Sequence, residues 1–433
     1  MSAYFEIAYA AVSGRLCLFT GTGFSKAVTE NSAPGWQELL VKACEGLVKK
    51  DDLVNALFPQ GEKNPLSLEE AAQVIDIKLK GEFGYGIHKV IAEEIERLKP
   101  SGDNSIIETF LKKYPMKVVT TNYDNLFESL VGDACQSIAP GFPIPRASAT
   151  TKVYHVHGST DSPQNMVVTS DDYFKFMHGE SYFSRKLSTA LHENTVVILG
   201  YSLADTNLKS ILSDYRGFSR ANITGGNLFL VSRSAVDQFV KNYYAHCYGI
   251  RVLDGLEIDD FFKKVTARTA DASKNNESSI GNLRKVIGGH SYTDDYLKIN
   301  VSFYEIIAAV GGVGRNINDP KVVDVLDKII AKKISLTAAS GAWEQYDHLA
   351  DWLCHLATTL ELPRTTFEKT FLKAVLHSMN RMSKNYVFGY SWDAYKTWNN
   401  SWENILAPNR VLIKAFIEEK CYDDDALAIV KRG

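Results

Sequence analysis

The sequence predicts an α/β fold: a doubly wound, mostly parallel sheet with a helical insertion, followed by an all-α C-terminal region. Three observations carry it. Short apolar runs alternate with stretches of helical periodicity through the first two thirds of the 433 residues. Several of those runs, "KVVTT" and "TVVILG" among them, are β-branched on both faces, as strands covered by helices on both sides must be. Strand signals then vanish after about residue 282, and the remainder of the chain reads as helix.

Taken in order, Leu16–Thr20 is the first strand, and it breaks into "GTGFS", where Gly21 and Gly23 permit a tight bend and a close approach to a ligand. Lys26 stands where a third glycine would complete a dinucleotide fingerprint, and no Gly-Lys-Ser/Thr follows for a nucleoside-triphosphate loop, so a ligand-free turn stays open at this point. Residues 36–110 read as a helical insertion, since "GWQELLVKACEGLVKK", "LSLEEAAQVIDIKLK" and "IHKVIAEEIERL" place apolar side chains at i, i+3, i+4. Strands are then expected at Lys117–Thr121, Lys152–His157, Thr195–Gly200, Asn227–Ser232 and Ile250–Leu253. "SDDYFKF" starts a helix with Ser170 or Asp171 as its cap. The polar stretch 266–282, "TARTADASKNNESSIGN", reads as a linker between a domain of residues 1–265 and a helical domain of 283–433. In the latter, Asp319-Pro320 opens a helix and "GGVG" at 311–314 ends one. Five of the six tryptophans lie there, three within residues 386–402, where they serve either a helical core or a partner surface.

Composition narrows the function. With 45% hydrophobic and 23% charged residues the chain is that of an ordinary globular protein, and a formal charge of −3 offers no basic surplus for nucleic acid. No charged leader precedes the first apolar residues and no run approaches the ~18 apolar residues of a membrane span, so a cytoplasmic protein is expected. The six cysteines are scattered and only His155 and His157 form a close histidine pair, without a carboxylate or cysteine at ligand spacing; no metal is expected.

Each expected strand end delivers a polar cluster: "GTGFS", "TTNYD" at 120–124, "HVHGS" at 155–159 and "GYSLADTNL" at 200–208. Four such clusters in this order, over roughly residues 1–260, resemble the sirtuin-like fold, a Rossmann variant that binds NAD across its strand ends. The resemblance implies that Gly21, Thr22, Gly23 and Ser25 face the diphosphate, with Thr121 beside them, and that Asn122 and Asp124 hold the nicotinamide ribose and attacking water. It makes His157 the base, His155 the decoy on the same strand face, and puts Gly200, Ser202 and Ser232 near the adenosine half. Structural alternatives remain for each: an Asx turn for Asn122 and Asp124, a strand-capping histidine, a plain loop serine at Ser232.

Protein-deacetylating members carry a four-cysteine zinc module, a Gly-Ile-Pro-Asp-Phe-Arg segment and Gln before the catalytic Asn. This sequence has none of them; "NSAPGWQELL" and Thr121 stand in the latter two places. "PGWQELL", "TTNYDNLFE", "VYHVHGS", "TSDDYFKF" and "LGYSLADTNL" are instead similar to the sirtuin-like effectors of bacterial antiphage defence. That resemblance implies NAD as substrate, hydrolysis to nicotinamide and ADP-ribose, and abortive infection through NAD depletion. It implies control by oligomerisation and by a separate sensor, whether an Argonaute, an ATPase or a nucleotide-processing enzyme. A protein deacylase or ADP-ribosyltransferase, and a non-enzymatic NAD or ADP-ribose sensor, are the alternatives.

Overall fold

Every expected strand is present in the computed structural model, together with one more. The structure describes residues 2–144, 150–178, 182–201, 212, 228–313, 315, 319–339 and 341–432. β1 (Leu16–Thr20), β2 (Lys117–Thr120), β3 (Cys135–Ile138), β4 (Thr151–His155), β5 (Thr195–Leu199), β6 (Leu228–Val231) and β7 (Ile250–Leu253) form one sheet in the order β3-β4-β2-β1-β5-β6-β7. All pairings are parallel. The unexpected member, β3, is an edge strand of sequence "CQSI" with three of its four residues half-exposed, so it lacks the apolar run that marks its neighbours.

Alternation along the strands produces two buried layers. Leu16, Leu18, Val118, Val153, Val197 and Phe229 face one side, against the helices Ser2–Val12, Ser105–Lys113 and Ile258–Ile287. Cys17, Phe19, Val119, Val196, Ile198 and Leu228 face the other, with Ala190 and Leu191 from one helix and Tyr248 from another. The chain runs outward from β1 to β2 and β4, then returns to the other flank of β1 as β5, so the switch point lies between β1 and β5. Thr20 stands opposite both Thr120 and Leu199, and Thr120 opposite His155. The loops after β1, β2, β4 and β5 therefore leave the sheet at one level.

The insertion folds as expected into the helices Trp36–Ala43, Lys50–Leu57, Leu68–Phe83 and Ile87–Glu96, around a core that includes Leu40, Ala72, Ile75 and Ile91. Tyr123, Met166 and Val168 join that core, which seats the insertion on the sheet's carboxyl ends. Ser67 and Glu70 form a reciprocal capping box that starts the Leu68–Phe83 helix.

The linker reading of residues 266–282 is corrected. That stretch lies inside the continuous helix Ile258–Ile287. Among its described side chains the buried ones are Thr269, Ala272 and Ser279, residues too small or polar to register as an apolar stripe, yet small enough for the Ser2–Val12 helix to approach closely. Tyr9 and Ser279 hydrogen-bond at 2.7 Å between the two helices. The N-terminal helix itself was not foreseen.

Beyond it the chain is helical. Asp319 caps the helix Pro320–Thr337 by accepting from the Lys321 amide, and Gly311 and Gly312 of "GGVG" end the helix Val301–Gly312, Gly314 lying outside the described residues. The tryptophans divide: Trp352, Trp398 and Trp402 are core, whereas Trp343 and the segment carrying Tyr386 and Phe388 are exposed. Among the described residues no helix is long and apolar enough to cross a membrane.

Candidate functional site

The loop after β1 is shaped by its neighbour at the switch point. Gly21 N donates to Leu199 O at 3.1 Å and Gly23 N to Gly200 O at 2.7 Å. A Cβ on Gly23 would lie 2.6 Å from Gly200 Cα, and one on Gly200, whose φ is +61°, would lie 2.1 Å from Phe24 N. The glycines are thus required where two backbones touch. This revises the expectation that the Gly21 and Gly23 amides are held ready for a diphosphate, since both are engaged by the end of β5. Thr22 remains, exposed, as the side chain this turn presents.

Ser25, one turn into the following helix, joins the loops after β1 and β2. Asn122 Nδ2 donates to Ser25 Oγ at 2.8 Å, and Ser25 Oγ donates to Asp124 Oδ2 at 2.7 Å. Asp124 Oδ1 also accepts from Leu126 N at 3.2 Å, the Asx-type bond that starts the Leu126–Val131 helix. Ser25 is buried and its proton is committed to Asp124, so it positions Asn122 rather than offering a hydroxyl to a phosphate. Solvent reaches part of Asp124 through the cavity, yet burial raises its carboxyl above the ordinary range; the Ser25 and Leu126 hydrogen bonds act in the opposite direction. Asn122 Oδ1 has no donor among the described residues, which leaves it available to a ligand.

The two histidines part company because β4 ends at His155. His155 is fully buried, with Nδ1 3.1 Å from Asn122 O and Nε2 2.7 Å from Glu128 Oε1. Burial opposes its protonation, but the bond and charge of Glu128 outweigh burial and the imidazole pKa is raised. His157, past the strand end, lines the cavity instead, so the expectation that both share one strand face is corrected. Its ring meets those of Tyr173 and Phe176 edge-on at 5.4 and 5.3 Å. Gly158 has φ +90°, and a Cβ there would strike Asn165 O at 2.8 Å; the turn that swings His157 away from the strand needs this glycine.

The helix Ser170–His178 supplies the wall beyond His157. Its cap is Thr169, not Ser170 or Asp171: Asp172 N donates to Thr169 Oγ1, while Thr169 N donates back to Asp172 Oδ2 at 2.9 Å. The same oxygen takes His88 Nε2 at 2.8 Å from the insertion. Burial of Asp172 is outweighed by the His88 and Thr169 bonds, and its pKa is lowered.

These elements enclose a cavity of about 870 Å³ over the switch point. Thr22, Gly23, Ser25, Thr121, Asn122, Asp124, His157 and Gly200 all line it. Gly21 lies behind the lining. Ser232 does not reach it either; its hydroxyl donates to Ser234 O at 2.7 Å. Ser202 falls outside the described residues. Sequence reasoning missed Trp36, Tyr123, Glu69, Tyr173 and Phe174, which complete the walls. Trp36 and the Tyr173 helix stood in quoted motifs, but nothing in the pattern said which way they face. No group of three or more His, Cys, Asp or Glu among the described residues could hold a metal.

A doubly wound parallel sheet with polar loops converging on a large cavity at its switch point defines a dinucleotide-type α/β domain. Residues 116–253 match the family model described as SIR2-like domain. It is similar to Defense-associated sirtuin 2 of Bacillus subtilis, 25% identical over 263 residues, covering 59% of this chain and 24% of that protein. NAD(+) hydrolase ThsA of Enterococcus faecium is 28% identical over 211 residues, 46% of this chain and 43% of that protein. ThsA of Bacillus cereus (strain MSX-D12) is 32% identical over 137 residues, 30% of this chain and 28% of that protein. The chain thus spans less than half the length of these curated relatives.

Proposed function

We propose that this protein is an NAD hydrolase of antiphage defence, converting NAD and water to nicotinamide and ADP-ribose. The observation that carries the reading is the convergence of Asn122 and His157 in one cavity, with Asn122 pinned through Ser25 to Asp124. The cavity volume falls within the ~300–1,000 Å³ of small-molecule sites, and the similar proteins include ones named as NAD(+) hydrolases.

Cleaving the nicotinamide–ribose bond leaves positive charge on the ribose, so the site must hold that sugar rigidly and accept a proton from the attacking water. Asn122 Oδ1 accepts from a ribose hydroxyl or the water. Asp124 keeps Asn122 in place through Ser25. His157, at the edge of the aromatic wall, takes the proton as general base. The consequence in a cell is NAD depletion during abortive infection, in the cytoplasm, held off until an oligomeric assembly or a separate sensor subunit releases it.

Incubating the purified chain with NAD, alone and with the product of its neighbouring gene, and resolving the products tests this reading. Nicotinamide and ADP-ribose in equal amounts, lost with Asn122→Ala and with His157→Ala, are expected. NAD binding without turnover under every condition would favour a sensor, and transfer of ADP-ribose to protein would favour a transferase.

A further inference from the structure

Among the described residues three carboxylates line the cavity, and they are not equivalent. Asp124 is hydrogen-bonded by Ser25 and Leu126 N. Glu70 is taken up by the Ser67 amide in the capping box. Glu69, the second residue of the insertion helix Leu68–Phe83, is half-buried in the cavity wall and has no hydrogen-bond or ion-pair partner among the described residues. Among the described residues the one cationic side chain in the lining, Lys26, is already paired with Glu38 at 3.4 Å.

The position of Glu69 along the cavity is set by its neighbours. One turn further along the same helix, Gln73 Oε1 accepts from Ser170 Oγ at 3.4 Å and from Asp171 N at 3.1 Å, which packs this helix face against the start of the helix that carries Tyr173. Tyr173 packs on His157. Glu69, on the same face of its helix as Gln73, therefore stands on the side of the cavity where the Ser170–His178 helix brings Tyr173 against His157. A half-buried carboxylate with no protein partner is an electrostatic preference for a cation. Oxidised NAD carries its only positive charge on the nicotinamide ring, whereas NADH carries none there.

Resting on the dinucleotide reading above, we propose that Glu69 is a specificity-determining residue: its carboxylate is the counter-charge for the nicotinamide cation and makes the site select NAD over NADH. The charge is present in bound substrate and is shared between ring and ribose as the bond breaks, so Glu69 acts mainly on substrate affinity and little on the chemical step. A single charge at several ångströms in a partly solvated cavity corresponds to about a tenfold preference.

The test is calorimetric titration of the full chain, carrying His157→Ala to prevent turnover, with NAD and with NADH. The expected result is NAD bound about tenfold more tightly than NADH, with Glu69→Gln bringing the two affinities together by weakening NAD alone. Glu69→Lys, a charge reversal at the same place, is expected to invert the order. Melting curves of each variant show whether the fold is kept. An NAD-to-NADH ratio unchanged by both substitutions overturns the assignment of Glu69 while leaving the dinucleotide reading intact. Failure of His157→Ala with native Glu69 to bind either dinucleotide overturns both.

Discussion

Replacing Ser25 by alanine removes the one hydroxyl that links Asn122 to Asp124, and its cost can be worked out from the two bonds it makes. One is a 2.7 Å bond donated to a carboxylate, the other a 2.8 Å bond accepted from an amide. Bonds to charged groups contribute about 1.5–3 kcal/mol and neutral ones about 0.5–1.5 kcal/mol, and solvent access to Asp124 argues for the lower end, about 2 kcal/mol in total. At roughly 2–4 °C per kcal/mol for a domain of this size, Ser25→Ala should melt several degrees below the parent. The loss should depend on pH. The Asp124 carboxyl is raised by burial and held back by the Ser25 bond, so without Ser25 it rises further. A raised acid contributes its stability fully below its unfolded value near ~3.9 and loses it as pH climbs through the folded value. The gap in melting temperature should therefore be small near pH 4 and widen toward pH 7. With Asn122 no longer pinned, kcat for NAD hydrolysis should fall about 100-fold. A gap as wide at pH 4 as at pH 7 would refute the pairing with a carboxylate, and undiminished kcat would refute the positioning of Asn122.

The two histidines should separate in opposite ways. His157→Ala is expected to lower NAD turnover about 100- to 10,000-fold, with the loss of activity exceeding anything a shift in melting temperature explains. His155→Gln should instead lower the melting temperature: its raised pKa makes the Glu128 pair fully stabilising below pH ~6.5 and progressively less so as pH rises through the folded value, so the difference from the parent should shrink between pH 6 and 9. An inactive His155→Gln with unchanged melting would reverse the two roles. Gly23→Val should abolish dinucleotide binding and lower the melting temperature together, since the new side chain meets Gly200 Cα rather than open space; lost binding at full stability would return the glycine to a ligand-contact role. Finally, Tyr386→Ser with Phe388→Ser, at side chains 81% and 97% exposed, should leave melting unchanged and abolish oligomerisation or trigger response; a doubly substituted chain as inducible as the parent would remove this surface from control.

How much the sequence made legible depends on the physical quantity each signal measures. β-branched runs such as "TVVIL" report burial on both faces, and they located the central strands to within a residue or two; β3, at a half-exposed edge, carries no such run. The four polar clusters reported where loops leave the strands, and parallel register then brought Thr22, Asn122, His157 and Gly200 to one cavity. Spacing alone could not tell His155 from His157, because the deciding fact is that the strand ends at His155 and Gly158 turns the chain. The glycines of "GTGFS" were visible as a need for closeness, but whether the close object is a phosphate or another backbone is a tertiary fact. Glu69 was hidden for a similar reason: "SLEE" announces a helix start and says nothing of what that start faces.

The helix that replaces the expected linker changes how control must be pictured. Phe261, Phe262 and Leu283 on that helix share one continuous core with Phe5 and Tyr9 of the N-terminal helix and with Phe303 and Trp352 of the C-terminal region. At the sheet edge, Arg251 of β7 pairs with Glu6 at 2.6 Å, and His355 of the helix Trp343–Thr359 lies 3.6 Å from the same carboxylate. A partner that binds the C-terminal helices therefore acts on a body already packed against β1 and β7. If the hydrolase activity proposed above is held at one part in a hundred at rest, about 2.7 kcal/mol is needed, a quantity one interface can supply. Cutting the chain near residue 275 would not isolate that control: it would remove Ser279 and Leu283 from the groove beside the N-terminal helix and unsettle the layer under the sheet. Loss of activity in such a truncation would report on folding. Substitutions confined to the exposed aromatic segment leave that core whole, so they separate control from stability where truncation cannot.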